Sequence, residues 1–139
     1  VISLNKKFKK FDKDIKRTAL RTLEAFNKKN TSVDIYLADS RTMKFLNKKF
    51  RGKPQIATIL SFKAPRNFVL PPSKYRKIGE IYLNIKPTTN YKLQTTNYLL
   101  VHGLLHLFGY NHKKKNDRIR MEKKEKYAHH RLRHRLVSN

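Results

Sequence analysis

The segment from Leu99 to His112, LLVHGLLHLFGYNH, constrains this chain more than any other. Its density of Leu, Val and Phe predicts a strongly apolar helix. His102 and His106, four residues apart, then share one face of it and aim at a common point. Gly109 can take the left-handed conformation that closes a helix and sends the chain back. That return brings His112 toward the same point as a third imidazole.

Three neutral imidazoles with an open fourth position, taken by water, describe a catalytic rather than a structural zinc site. Nickel or copper also accept imidazole ligands, and nothing in the chain suggests a small-molecule cofactor. The spacing is similar to the zinc-peptidase pattern H-E-x-x-H-x-x-G-x-x-H at every position except one. Gly103 stands where those enzymes carry their general-base Glu, which removes the usual case for peptide hydrolysis. His129, His130 and His134 lie among arginines and read as solvated or phosphate-facing, because neighbouring positive charge disfavours a bound dication. The chain has no Cys, so disulfide scaffolds, thiol nucleophiles and thiolate metal sites are excluded.

Charge names the class of partner. The 139 residues carry 34 Lys and Arg against 9 Asp and Glu, a formal net charge of +25. The cations are spread as 10, 13 and 11 over residues 1–30, 31–112 and 113–139, each segment with 3 acids. Such a surface fits a polyanion, whose phosphates release condensed counterions when Lys or Arg neutralises them. A membrane is disfavoured: no apolar run approaches the ~20 residues that span a bilayer. No basic amphipathic helix with large exposed aromatics stands out either. At 38% hydrophobic residues the chain can bury a core, and its length suits one domain.

The hydrophobic pattern orders the elements. VISLN at the start reads as a short strand. A helix follows with Phe11, Ile15, Ala19, Leu20, Leu23 and Phe26 turned inward, stopped by Asn30 and Thr31. Ser32 to Leu37 alternates Val33, Ile35 and Leu37 as a half-buried strand. Asp39 or Ser40 caps a second helix through Asn47, with Met43 and Leu46 inward. FRGKPQ is a loop, Thr58 to Phe62 a strand, residues 63–77 an irregular basic loop, and Glu80 to Ile85 a fourth strand. Pro87 precedes a helix of about 20 residues ending at Gly109, and a last helix starts near Asn116 or Asp117. The expected fold is α/β (α+β): a single domain over 1–139 with one mixed, roughly four-stranded sheet packed with helices. A basic C-terminal helix and tail occupy 113–139.

HGLLHLFGYNH resembles the H-G-x-L-H-L-x-G-y-D-H motif of the YbeY family of rRNA maturation factors. FRGKPQIATILSF resembles that family's y-R-G-k-d-k-p-T-D-V-L-S-F block, and Ile78-Gly79-Glu80-Ile81 sits where the family has L-G-D-I. Met121 and Glu125 parallel a Met…Glu pattern after the histidine motif. The matches span about residues 41–125 in the family's order. Three positions depart from it: Asn111 for the usual Asp, Thr58 for Asp or Asn, and Glu80 for Asp. An amide oxygen at Asn111 can still accept a bond from a ligand His.

The resemblance implies a metal-dependent endoribonuclease that matures small-subunit rRNA, notably its 3′ end, and serves ribosome quality control. It implies zinc on His102, His106 and His112, with small-subunit rRNA and ribosomal proteins as partners. The family's functionally important arginine falls on Arg51. The expected place is the bacterial cytoplasm, on the ribosome, with the mitochondrial matrix as the alternative. Zinc on three imidazoles lowers the pKa of bound water to about 7, so water at His102 and its neighbours is the expected attacking group. Arg51, in a Gly-containing loop, would clamp phosphate with its planar fork. Lys53, Arg118, Arg120, Arg131, Arg133 and Arg135 would add affinity without sequence readout. Ser61 reads as structural and Tyr110 as packing over the turn. Glu80 reads either as a contact to a ligand His or base at the site, or as a strand-end cap or surface ion pair. A second reading, of another class, is a non-catalytic ribosome-bound assembly factor that retains the zinc site.

Overall fold

The computed structural model describes residues 1–65, 75–86 and 93–137, with backbone alone at 93–94 and 134–137. The elements run β1 (Ile2–Ser3), a 3-10 turn (Lys6–Phe11), α1 (Asp12–Ala25), β2 (Thr31–Ala38), α2 (Ser40–Arg51), β3 (Ile59–Lys63), β4 (Arg76–Asn84), α3 (Leu93–Leu107) and α4 (Lys115–Val137). One four-stranded sheet has the order β1-β2-β4-β3. β1 and β4 run parallel to β2, and β3 runs antiparallel to β4. This is the mixed sheet and α+β class expected from the sequence.

Side-chain alternation gives the sheet two different faces. Opposite pairs Ile35–Ile81 and Leu37–Leu83 lie on one face, and these four are buried together with Ile15 and Ala19 of α1 and Leu100 and Leu104 of α3. The other face takes α2, where Met43 packs with Ala38 and Leu60. A third cluster joins α3 to α4 through Val101, Leu105, Met121 and Ala128. Helix α3 is therefore covered on opposite sides, by the sheet and by α4. Burial on two sides is why its stretch from Leu99 to Leu107 is apolar over most of its circumference rather than in one stripe, with His102 and His106 on the side left over. Each of its fully buried leucines contributes about 1.5–3 kcal/mol.

Several boundaries differ from expectation for physical reasons. Leu20 is 54% exposed, because it lies one residue past Ala19 and so about 100° around the helix. Thr18 and Thr22 fill the inner side instead, with the Thr22 hydroxyl donating to the Thr18 carbonyl at 2.7 Å. Phe8, in the 3-10 turn, is a buried core residue that lies outside the helical pattern. Thr31 opens β2 rather than merely ending a helix. Helix α2 is capped as expected by Asp39, whose carboxylate accepts from the Thr42 amide at 2.8 Å. Its pKa is held below the ordinary range chiefly by that bond. The helix then continues past Asn47 to Arg51, so Phe50 and Arg51 are helical and not part of a loop. Gly52 (φ 65°) ends it. The amides of Gly52 and Lys53 donate back to the Lys48 and Asn47 carbonyls at 3.1 and 3.3 Å, satisfying the last turn.

β4 begins at Arg76, four residues before Glu80, because its polar start pairs with Thr31 and Ser32 of β2. There Lys77 bridges Asp34 and Glu80, each at 2.9 Å, and those bonds raise its pKa. The centre of the basic loop read over 63–77 (66–74) and Pro87 lie outside the described residues.

Candidate metal centre

The last turns of α3 and the turn after it build the site. Packing of Leu104 against the sheet and Leu105 against α4 fixes the helix, and leaves His102 and His106 half-buried along its remaining side. At the end of α3 Gly109 has φ 105°. The amides of Gly109 and Tyr110 return to the His106 and Leu105 carbonyls, both at 3.0 Å. Tyr110 packs against the α3–α4 cluster, over the turn as expected. Asn111 accepts from the Lys113 amide at 3.1 Å, so its side chain shapes the turn. His112, exposed, thus arrives beside the helical pair.

The ligand atoms of the three imidazoles lie within 4.8 Å of one another. The Nε2 atoms of His102 and His106 are 3.1 Å apart. Zn–N bonds of 2.0–2.1 Å in a tetrahedron put ligand nitrogens about 3.3 Å apart, so this pair already sits near a coordination edge. On the far side of its ring, His102 Nδ1 lies 2.9 Å from Glu125 Oε1 of α4. A carboxylate only accepts, so Nδ1 carries the proton and Nε2 presents its lone pair. His106 is held below its ordinary pKa, first by burial and then by His102 and His112, against a hydrogen bond to the Tyr110 backbone. Both effects favour the neutral, ligating form. The donor set fits a borderline-soft divalent ion.

Arg51 comes from another element, the final turn of α2. Its Nη2 donates to the Ser61 carbonyl at 3.2 Å, and its guanidinium lies 5.8 Å from the Phe62 ring centre. Arg51, Ser61, Lys63 and the three histidines all line one cleft of about 540 Å3. The floor is a close approach of α3 to β3. A Cβ on Gly103 would meet Ile59 Cδ1 at 2.6 Å and Ser61 Oγ at 2.9 Å. Ser61 is thus a structural wall, as expected, with its hydroxyl 3.5 Å from the Gly103 carbonyl.

The remaining expected residues are dispersed. Lys53 is exposed after α2, and Arg118, Arg120, Arg131 and Arg133 are exposed on α4. Residues 131–137 are helical rather than a tail, and the side chain of Arg135, like that of His134, lies outside the described residues. Glu80 pairs with Lys77 and receives the Tyr82 hydroxyl at 3.4 Å, the ion-pair alternative for that residue. His129 is not solvated: its ring packs on Tyr98 with centroids 3.9 Å apart, and burial lowers its pKa. Glu125 is the site residue that sequence reasoning noted without giving it a task. The available signal was its place one turn beyond Met121, whose burial turns that side of α4 toward α3. Helix α2 also overturns the expectation that no basic amphipathic helix exposes large aromatics: Phe45 and Phe50 are 62% and 58% exposed on it.

Among known proteins, the family model described as "Endoribonuclease YbeY" matches residues 2–133. A Persephonella marina protein named "Endoribonuclease YbeY" is 31% identical over 120 residues, 81% of this chain and 72% of its own length. One of the same name from Buchnera aphidicola (Schizaphis graminum) is 38% identical over 109 residues, 72% of this chain and 66% of its own. A third, from Thermodesulfovibrio yellowstonii, is 31% identical over 131 residues, 89% and 80% of the two chains. A solution structure of a Thermotoga maritima protein superimposes with a TM-score of 0.55 at 21% identity, covering 99% of this chain and 94% of that one. That last likeness concerns the fold.

Proposed function

The chain belongs to the YbeY endoribonuclease family, and from that premise we propose that it is a zinc-dependent endoribonuclease acting in small-subunit rRNA maturation. Its partners in this reading are that rRNA and ribosomal proteins, and its place is the ribosome. The observation that carries the reading is the one cleft that three convergent imidazoles share with Arg51.

His102, His106 and His112 would hold the zinc, which when bound supplies a Lewis acid and brings the pKa of water to about 7. Glu125 keeps the His102 proton on Nδ1 and the ring in its ligating direction. Arg51 has one guanidinium nitrogen tied to Ser61. The rest of its fork is left to hold a phosphate and to neutralise charge that builds on it during cleavage. Gly103 lets α3 lie close against Ile59 and Ser61 of β3, two of the residues that line the cleft. Exposed Lys and Arg, including Lys53 and those on α4, supply affinity through backbone phosphates.

The test is cleavage of structured small-subunit rRNA precursor by zinc-loaded wild type, His102→Ala and Arg51→Ala. The reading expects cutting by wild type alone. Equal cutting by all three removes it. Absence of cutting with ribosome binding intact favours a non-catalytic assembly factor.

A further inference from the structure

Helix α2 carries a feature that metal binding does not use. Its inner side packs Met43 onto the sheet and ties Asn47 to the Gln55 carbonyl at 2.9 Å, while Phe45 and Phe50 stand out in solvent. The Lys49 ammonium lies over both rings, 5.8 Å from the Phe45 centroid and 5.4 Å from that of Phe50. Phe50 meets Phe62 edge-on at 5.6 Å, and the Arg51 guanidinium lies 5.8 Å from Phe62. Arg51 in turn lines the histidine cleft. The exposed rings therefore connect to the cleft through direct contacts. The exposed charged side chains of α2 and of the turn after it are all cations: Arg41, Lys44, Lys48, Lys49, Arg51 and Lys53, with no Asp or Glu between Asp39 and Glu80 in the sequence.

We propose that the outer face of α2 is a platform for unpaired RNA, whose bases stack on Phe45 and Phe50 while the flanking cations take the phosphates. The strand then enters the cleft past Arg51. The proposal rests on the ribonuclease reading and adds to it the surface by which the strand approaches the cleft, the exposed rings Phe45 and Phe50. Paired RNA hides its base faces, whereas unpaired bases offer them to aromatic rings. A protein partner would have to be acidic to meet the cations that α2 exposes beside the rings. A lipid surface needs a continuous apolar face, and the apolar side of α2 is already committed to the sheet.

The experiment uses the full chain loaded with zinc and a fluorescent, unstructured 2′-O-methyl oligoribonucleotide that resists cleavage. The same sequence is also made with abasic sites and as a duplex with its complement. Phe45→Leu/Phe50→Leu weakens single-strand binding about tenfold or more, with the salt dependence unchanged because the phosphate contacts remain. Duplex affinity stays within about twofold, and the abasic strand binds wild type and variant alike. Phe45→Tyr/Phe50→Tyr restores single-strand binding, which separates stacking from a loss of fold. The proposal fails if the leucine variant binds single strands as wild type does, or loses duplex and single strand in parallel. It fails too if the variant loses only ribosomal-protein association or binding to phosphatidylserine vesicles. If wild type binds strands through the rings but cuts no RNA, the nuclease reading falls and the platform stands. Cutting without ring dependence gives the reverse result.

Discussion

Helices α3 and α2 border the same cleft with opposite chemistry. α3 is wedged between sheet and α4 and buries Leu100, Val101, Leu104 and Leu105 completely, so its imidazoles point where close packing sends them. α2 touches the sheet with one side only and brings a single guanidinium from its last turn, aimed by the Gly52 closure and the Ser61 carbonyl. One helix sets the metal ligands by being dry; the other presents charge by staying wet. The two should respond differently to substitution.

The largest expected effect is on α3. His106→Ala weakens zinc binding by more than about 100-fold, beyond the range for loss of an outer partner, as read by chelator competition. Arg51→Ala lowers RNA cleavage about 100- to 1,000-fold while leaving zinc affinity and melting temperature alone. Arg51→Lys recovers little, lacking the planar fork. If Arg51→Ala also loses zinc, the division between the helices is wrong. Glu125→Gln weakens zinc binding about 10- to 100-fold, sharpening the assignment of ligand orientation to the α3–α4 contact. Gly103→Ala costs about 1–2 kcal/mol in urea unfolding, since overpacking against Ile59 and Ser61 outweighs the gain in helix propensity.

The smallest effect is on pH. Burial first holds His106 and His129 below the ordinary imidazole pKa of 6.5. On acidification through about 6.5 the unfolded chain takes up protons before the folded one, so the metal-free protein is stable above that pH and weakens below it. Urea midpoints compared at about pH 8 and about pH 5.5 should show this, and His129→Leu should flatten part of the difference.

What the sequence disclosed follows the same division. The spacing of His102, His106, Gly109 and His112 specified a face and a turn, both local properties of backbone geometry, and the three rings converge accordingly. The sheet face of Ile35 and Leu37 was equally plain from alternation. Arg51 was found but misplaced, because a Gly-Lys-Pro run marks a stop without fixing how many residues before it remain helical. Glu125 and His129 were obscure for another reason. Their environments are made by α4 folding back on α3, a contact between residues 23 and more positions apart that no local period encodes.

Gly103 closes off a neighbouring chemistry. The peptidase motif differs from this one by a single side chain, so a one-residue change looks sufficient to convert one reaction into the other. It is not. Even the first carbon of a glutamate would meet Ile59 Cδ1 at 2.6 Å and Ser61 Oγ at 2.9 Å, so these side chains of β3 would have to turn aside before the carboxylate could enter. The contact that floors the cleft belongs to the same packing that orders the core. A protein engineer seeking hydrolysis of peptides on this scaffold would have to make room at Ile59 and Ser61 together with the change in the motif.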